Sequence, residues 1–141
     1  MPVVTRVVKI STKGNDDILD ITAKVQKEVA SSKIKDGLVT ILAVGSTIGL
    51  TTMEYEPGQI TDLKDLMERL VPKDVDWRHN YSWGGGDGNA HSHLRASLMG
   101  AQLSIPLVKG ELTLGTWQQI VAIDFDIRPR SREIIVQIIG E

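Results

Sequence analysis

The chain has no cysteine among its 141 residues. That absence excludes thiolate nucleophiles, zinc ribbons and disulfide scaffolds, and it fits a reducing compartment. Nor is there a surplus of positive charge: 16 Lys and Arg stand against 18 Asp and Glu, a formal net charge of −2. Non-specific nucleic-acid binding needs a basic surplus to release counterions from phosphates, so the balance argues against it. No apolar run reaches the roughly 18 residues a membrane span requires. The N-terminal MPVVTRVVKIST is too short and too interrupted for a signal peptide. No internal repeat, linker or low-complexity tract divides the chain. The expectation is one soluble, cytoplasmic domain over residues 1–141, long enough to bury its own core.

What is present alternates between strand and helix signatures. Val3 to Ser11 is rich in β-branched residues and predicts a strand. Gly14-Asn15 breaks it. Ile18, Ile21, Val25 and Val29 then recur at helical spacing, predicting a helix capped by Asn15, Asp16 or Asp17 that ends near Lys33. Leu38 to Val44 is nearly all apolar, as in a strand buried on both faces, and Ile48 to Tyr55 reads as its hairpin partner. Ile60, Leu63, Met67 and Leu70 mark a second helix, with Pro72 past its end. Leu94 and Leu98 suggest a short third helix stopped by Gly100. Strand-like runs follow at Gln102 to Val108, Glu111 to Leu114, Trp117 to Phe125 and Glu133 to Ile139. Lys109-Gly110 makes a hairpin of the first two, and Pro106 marks the first as an edge or bulged strand. The predicted class is α+β.

Chemistry concentrates between Trp77 and Gly100. All three histidines, His79, His91 and His93, lie there, beside four glycines in Gly84, Gly85, Gly86 and Gly88. Three imidazoles and a water make an open catalytic metal site. In His91-x-His93 the side chains share a face only if the backbone is extended; the alternative is separate polar residues bonding a loop. Glu54, at a strand end, is a candidate fourth ligand or base. The glycine run lacks a following Gly-Lys-Ser/Thr and reads as a mobile loop rather than a phosphate cradle, with Asp87 and Asn89 as its polar contacts. Arg95, near the start of a short helix, is placed to attract an oxyanion, with Ser92 and Ser97 as hydroxyl donors. Arg128, Arg130 and Arg132 form a basic cluster, and Gln118 is a weaker site candidate.

These residues also carry a resemblance. Ser92-His93-Leu94-Arg95-Ala96-Ser97, Gly115-Thr116-Trp117-Gln118, the arginine-rich turn and the closing Gly140-Glu141 follow one another as in the YjbQ-type family, often labelled secondary thiamine-phosphate synthase. The likeness extends back through the helix at Ile60 to Leu70 and the strand pair at Leu38 to Tyr55. One departure stands out: many members open the second strand of that pair with a histidine, where this chain has Gly45. His91 is the extra imidazole expected to supply the one missing at position 45. The Gly45 variant resembles the archaeal branch.

The resemblance implies an α+β fold with a mixed, curved sheet, two main helices and one short one, and a homotrimer with sites near subunit boundaries. It implies joining hydroxymethylpyrimidine diphosphate to thiazole phosphate, a transferase reaction. In that reading His79, His91 and His93 hold a divalent metal, zinc or similar with magnesium as the other choice. Glu54 and Arg95 are catalytic, and Asp87, Asn89, Ser92, Ser97, Gln118 and Arg130 bind a small phosphorylated molecule. A nitrogen-rich metal set suits magnesium poorly. A metal-dependent hydrolase and a non-catalytic metal- or anion-binding trimer are therefore kept as alternatives.

Overall fold

The computed structural model describes residues 1–84, 86 and 88–141. The elements run β1 (Val3–Thr12), β2 (Asp17–Asp20), α1 (Thr22–Ser32), β3 (Gly37–Ala43), β4 (Ile48–Met53) and α2 (Pro57–Leu70). A 3-10 segment (Arg78–Gly84) precedes α3 (Ala90–Met99), followed by β5 (Gln102–Val108), β6 (Glu111–Leu112), β7 (Gln119–Asp124) and β8 (Arg130–Gly140). The α+β class is as expected, but the sheet is not a single mixed one. The described strand pairs are antiparallel and divide into a five-stranded sheet, β1-β8-β3-β5-β6, and a three-stranded sheet, β2-β7-β4.

Burial explains the division. The central strand β7 is apolar on both faces because both are covered. Ile120 and Ala122 join the core shared with α1 and the five-stranded sheet. Val121, Ile123 and the following Phe125 join a second core with Met53 and Met67. Alternation with period two assigns each residue to its layer. α2 and α3 thus close the outer face of the small sheet, while among the described residues no element covers the outer face of the large one.

Two sequence readings change. The chain from Asp17 to Asp20 is a strand against β7, and the helix starts only at Thr22. Gly14, Asn15 and Asp16 all have positive φ, which turns the chain and lets Ile18 enter the second core before any helix begins. β3 and β4 are adjacent in sequence but pair in different sheets, so they form no hairpin. β5 and β6 do pair, through Leu107 and Val108, and just past β6 the Thr113 N–H and hydroxyl donate to the Pro106 carbonyl at 3.2 and 3.0 Å, so Pro106 lies between β3 and that segment rather than on an open edge. Among the described residues no helix is long and apolar enough to cross a membrane.

α3 approaches β4 closely, and Gly49 permits it. A Cβ there would lie 2.9 Å from Met99 Cγ and 3.0 Å from the Gly100 carbonyl, which accepts the Leu50 N–H at 3.0 Å. That contact fixes α3 over the start of β4, with His93 above the Gly45–Ser46 turn.

Candidate active site around His79 and His93

Where α3 starts decides which histidines can meet. The helix begins at Ala90, so His91 and His93 diverge by about 200° around it rather than sharing an extended face. His93 meets His79: their ring centroids lie 4.6 Å apart, edge to face at 68°. His91 turns inward beside Arg95, one helical turn on; it is buried and its Nδ1 has no hydrogen-bond partner among the described residues. The expected three-histidine cluster is therefore not formed. His91 does not stand in for an imidazole at position 45 either. What occupies that space is Arg132, whose Nη1 lies 2.6 Å from where a Gly45 Cβ would be.

His93 is the common wall of two open lobes of about 400 and 430 Å³. One is lined by His79, Trp83, Gly86 and Asn89, the other by Gly45, Ser46, Ile48, Ala96, Ser97 and Gly100. Each has room for a small ligand. Trp83, 93% exposed, sits at φ +57, a left-handed conformation unusual for a bulky residue. Burial pushes the His93 pKa below its ordinary value and His79 adds to this. The Asp126 carboxylate and a hydrogen bond to the Ser46 backbone oppose it. The ring is thus neutral near pH 7, able to accept a proton.

Beneath this cleft lies a charged network that sequence reading missed in part. Asp124 and Asp126 are buried. Arg132 grips Asp124 with Nε and Nη2 at 2.8 and 2.9 Å, and its Nη2 donates to Thr47 Oγ1 at 2.6 Å. Thr47 in turn donates to Asp126 Oδ2 at 3.1 Å, which also accepts from Arg130 Nε at 2.8 Å. Burial raises the Asp126 pKa, but the Ile127 N–H, Arg130 and Thr47 outweigh it and hold the carboxyl below its ordinary value. A signal was present: two carboxylates with period two in an otherwise apolar strand require buried partners.

The other expected site residues separate. Asn89 and Ser97 line the cleft. Arg130 lies at its base, paired to Asp126. Ser92 is fully buried, its hydroxyl is without a hydrogen-bond partner among the described residues, and it lines neither lobe. Asp87 lies outside the described residues. Arg95 is not a free anion receptor. It is 4% exposed and donates to Asp16 Oδ2 at 2.7 Å, to Glu68 Oε2 at 2.5 Å, and twice to the Val71 carbonyl, at 3.1 and 2.9 Å. Glu54 and Gln118 sit at the far end of β4, some 20 Å or more along the strand from the Gly45 turn at about 3.3 Å per residue. There Gln118 Nε2 donates to Thr52 Oγ1 at 3.0 Å, and Glu54 borders a shallow pocket with Asp20, Glu56 and an exposed Trp117.

The donor set was also tested against the expected metal. Among the described residues no group of three or more His, Cys, Asp or Glu side chains is arranged to hold one. His79 and His93 are one ligand short of an open catalytic zinc site, and Asp124 and Asp126 are committed to arginines. The described residues of the chain do not fit the group.

Comparison with known proteins places the chain. A UPF0047 protein of Methanothermobacter thermautotrophicus is 34% identical over 141 residues, covering 100% of this chain and 95% of its own. One from Archaeoglobus fulgidus is 38% identical over 128 residues, covering 91% and 95%. A crystal structure of a YbjQ-like protein of unknown function from Sulfolobus solfataricus superposes with a TM-score of 0.93 at 33% identity, covering 99% of each chain. A hypothetical protein from Aeropyrum pernix follows at 0.90 and 30%, covering 98% and 99%. Residues 6–141 match the description "UPF0047 protein YjbQ-like", and the chain belongs to that family.

Proposed function

We propose that the cleft shared by His79 and His93 is the active site of an enzyme acting on a small phosphorylated molecule, with His93 as the residue that moves a proton. The observation that carries this reading is the His93 environment. A neutral imidazole, positioned by the Ser46 backbone and faced by a second imidazole, borders two ligand-sized lobes above an arginine–aspartate network. Resemblance to the family supplies a specific reaction, joining hydroxymethylpyrimidine diphosphate to thiazole phosphate with pyrophosphate leaving. Arg130 and Arg132, in the network with Asp124 and Asp126, are the cations offered for such a diphosphate. The neutral state of His93 favours a second reaction, hydrolysis of a phosphorylated substrate, because that form takes a proton from an attacking water.

Rescue of a strain lacking its main thiamine-phosphate synthase tests the first reaction, with wild type against His79→Ala and His93→Ala. Rescue by wild type alone supports it. Equal rescue by all three assigns the activity elsewhere, and no rescue with His93-dependent phosphate release from a substrate panel supports hydrolysis. Ligand binding without turnover in either assay returns the reading to a non-catalytic anion-binding protein.

We further propose the homotrimer and the cytoplasmic setting that the resemblance implies. Support for assembly comes from the uncovered face of the five-stranded sheet. Across it run Val3, Ile139, Leu38 and Pro106 in one row, Thr5, Gln137, Thr40 and Ser104 in the next, and Val7, Ile135, Leu42 and Gln102 in a third. No position in these rows is charged, a composition suited to a subunit interface. A divalent metal on His79 and His93 needs further ligands from substrate or a second copy. Metal content of wild type against His79→Ala tests it.

A further inference from the structure

His79 and His93 come from separate elements, and different contacts hold each. α3, which carries His93, is fixed on β4 by the close approach at Gly49 and by the Gly100 carbonyl, which accepts the Leu50 N–H. His79 belongs to the 3-10 segment, whose other side-chain bonds lead elsewhere. Just before it the Trp77 indole N–H donates to the Pro72 carbonyl at 2.9 Å, and within it the Tyr81 hydroxyl donates to Asp76. Among the described residues one hydrogen bond joins this segment to α3: the Ala90 N–H donates to Asn80 Oδ1 at 3.0 Å. Ala90 is the first residue of α3, so its N–H has no partner inside the helix. Asn89, at the N-cap position, makes no capping bond with its side chain. Asn80, next to His79 in the chain, supplies the missing acceptor from outside the helix.

We propose that Asn80 is the positioning residue of this site: its side-chain carbonyl ties the segment bearing His79 to the helix bearing His93 and so sets the 4.6 Å separation of the two rings. The inference rests on the His79–His93 cleft being the active site, and it names what assembles that cleft. Three features make the bond positional rather than merely stabilising. It links residues ten apart, so it fixes the path between two elements and not the conformation of one. α3 does not need it in order to form, because Asn89 stands where a capping side chain acts and can take that role. His93 does not need it either, since the Ser46 backbone holds the ring from the other side. Only His79 depends on Asn80 for its place, and with it the lobe between His79, Trp83 and Asn89.

Proton NMR of the imidazole rings tests this, with three histidines in the chain to assign. Wild type should show a cross-ring NOE between His79 and His93. Asn80→Ala should keep the fold, melt about 3 °C lower for the loss of one hydrogen bond, and lose that NOE. Asn80→Asp keeps an acceptor at the helix N-terminus and should retain it. Persistence of the NOE in a folded Asn80→Ala overturns the proposal, whatever its Tm, because the bond would then be stabilising only. So does loss of the NOE in Asn80→Asp. Should Asn80→Ala fail to fold, amide exchange of wild type decides. The Ala90 N–H must exchange slowly, and exchange at the rate of an open loop overturns the proposal. Turnover separates this inference from the reading it rests on. Loss of the NOE with turnover lowered on the order of tenfold to a hundredfold supports both. Loss of the NOE with unchanged turnover leaves Asn80 as the residue that pairs the rings and removes the cleft as the active site.

Discussion

Replacing Arg95 with methionine separates a structural arginine from a ligand-binding one. The substitution keeps the aliphatic stem and removes the guanidinium that joins Asp16, Glu68 and the Val71 carbonyl. Asp16 matters most, because its side chain is 12% exposed and that of Arg95 only 5%. Glu68 is 55% exposed, and a pair so open to solvent adds at most about 1 kcal/mol. Leaving one partner of a buried pair uncompensated costs about 3–5 kcal/mol. With an unfolding entropy near 0.3 kcal/mol/K for a chain of this length, that is a fall in Tm of about 10–17 °C. Urea and thermal melts at fixed protein concentration measure it. The deficit should also depend on pH. Burial already raises the Asp16 pKa and Arg95 opposes that rise, so removing Arg95 lifts it further. A raised folded pKa confers stability that is whole below the unfolded value of about 3.9 and is lost as pH rises through the folded one. The gap to wild type must therefore narrow toward acid, and Asp16→Asn in the methionine background should recover part of it at pH 7. A variant that melts within about 2 °C of wild type at pH 7 but no longer binds pyrophosphate would refute this account and restore Arg95 as an anion receptor.

Two further outcomes follow from buried and exposed faces. Burial, with Arg95 and Lys73 adding to it, holds the His91 pKa below its ordinary value. The stability it contributes is thus whole above the unfolded pKa of about 6.5 and is lost as pH falls through the folded value. His91→Leu removes an unpartnered Nδ1, should cost less than about 1.5 kcal/mol at pH 7.5, and should flatten the decline of Tm toward pH 5; an unchanged slope would show that other groups set it. On the large sheet, Val7 and Leu42 flank Ile135 in one row, so Val7→Glu with Leu42→Glu should yield a folded monomer by sedimentation; a wild-type sedimentation coefficient would remove that face as the interface.

Much of the fold was legible because period and burial agree. Strands β5 and β8 and the helix α2 follow from their own patterns, and the Lys109-Gly110 turn pairs β5 with β6. Failures occurred where tertiary placement overrode a local pattern. Ile18 and Ile21 fit a helical period with Val25, but Ile18 belongs to a strand because the turn at Gly14–Asp16 sends it into the second core. β3 and β4 read as a hairpin because they are neighbours and apolar. Nothing local records that each finds its partner 60 or more residues later, β3 on β5 and β8, β4 on β7.

The site failed for a different reason, since its residues were visible but their phase was not. His-x-His converges on an extended chain and diverges on a helix, and the outcome turned on α3 starting at Ala90, one residue before His91. Arginines invite the opposite error, because a charge is read as solvated until its partner is known. Asp124, Asp126, Arg130 and Arg132 are placed symmetrically about Arg128, and the ion pairs nest accordingly: Asp126 takes Arg130, Asp124 takes Arg132. Carboxylates in an apolar strand cannot remain unpaired. Two arginines the same distance beyond the turn were therefore required near them. Arg130 and Arg132 share the strand phase that faces the core, and Arg132, the less exposed of the two at 10% against 38%, takes the deeper carboxylate and is held at Gly45. The histidine missing from position 45 was thus answered from β8, by a cation that does not titrate near neutral pH. An arginine in that place keeps its charge across the whole range in which His93 changes its own.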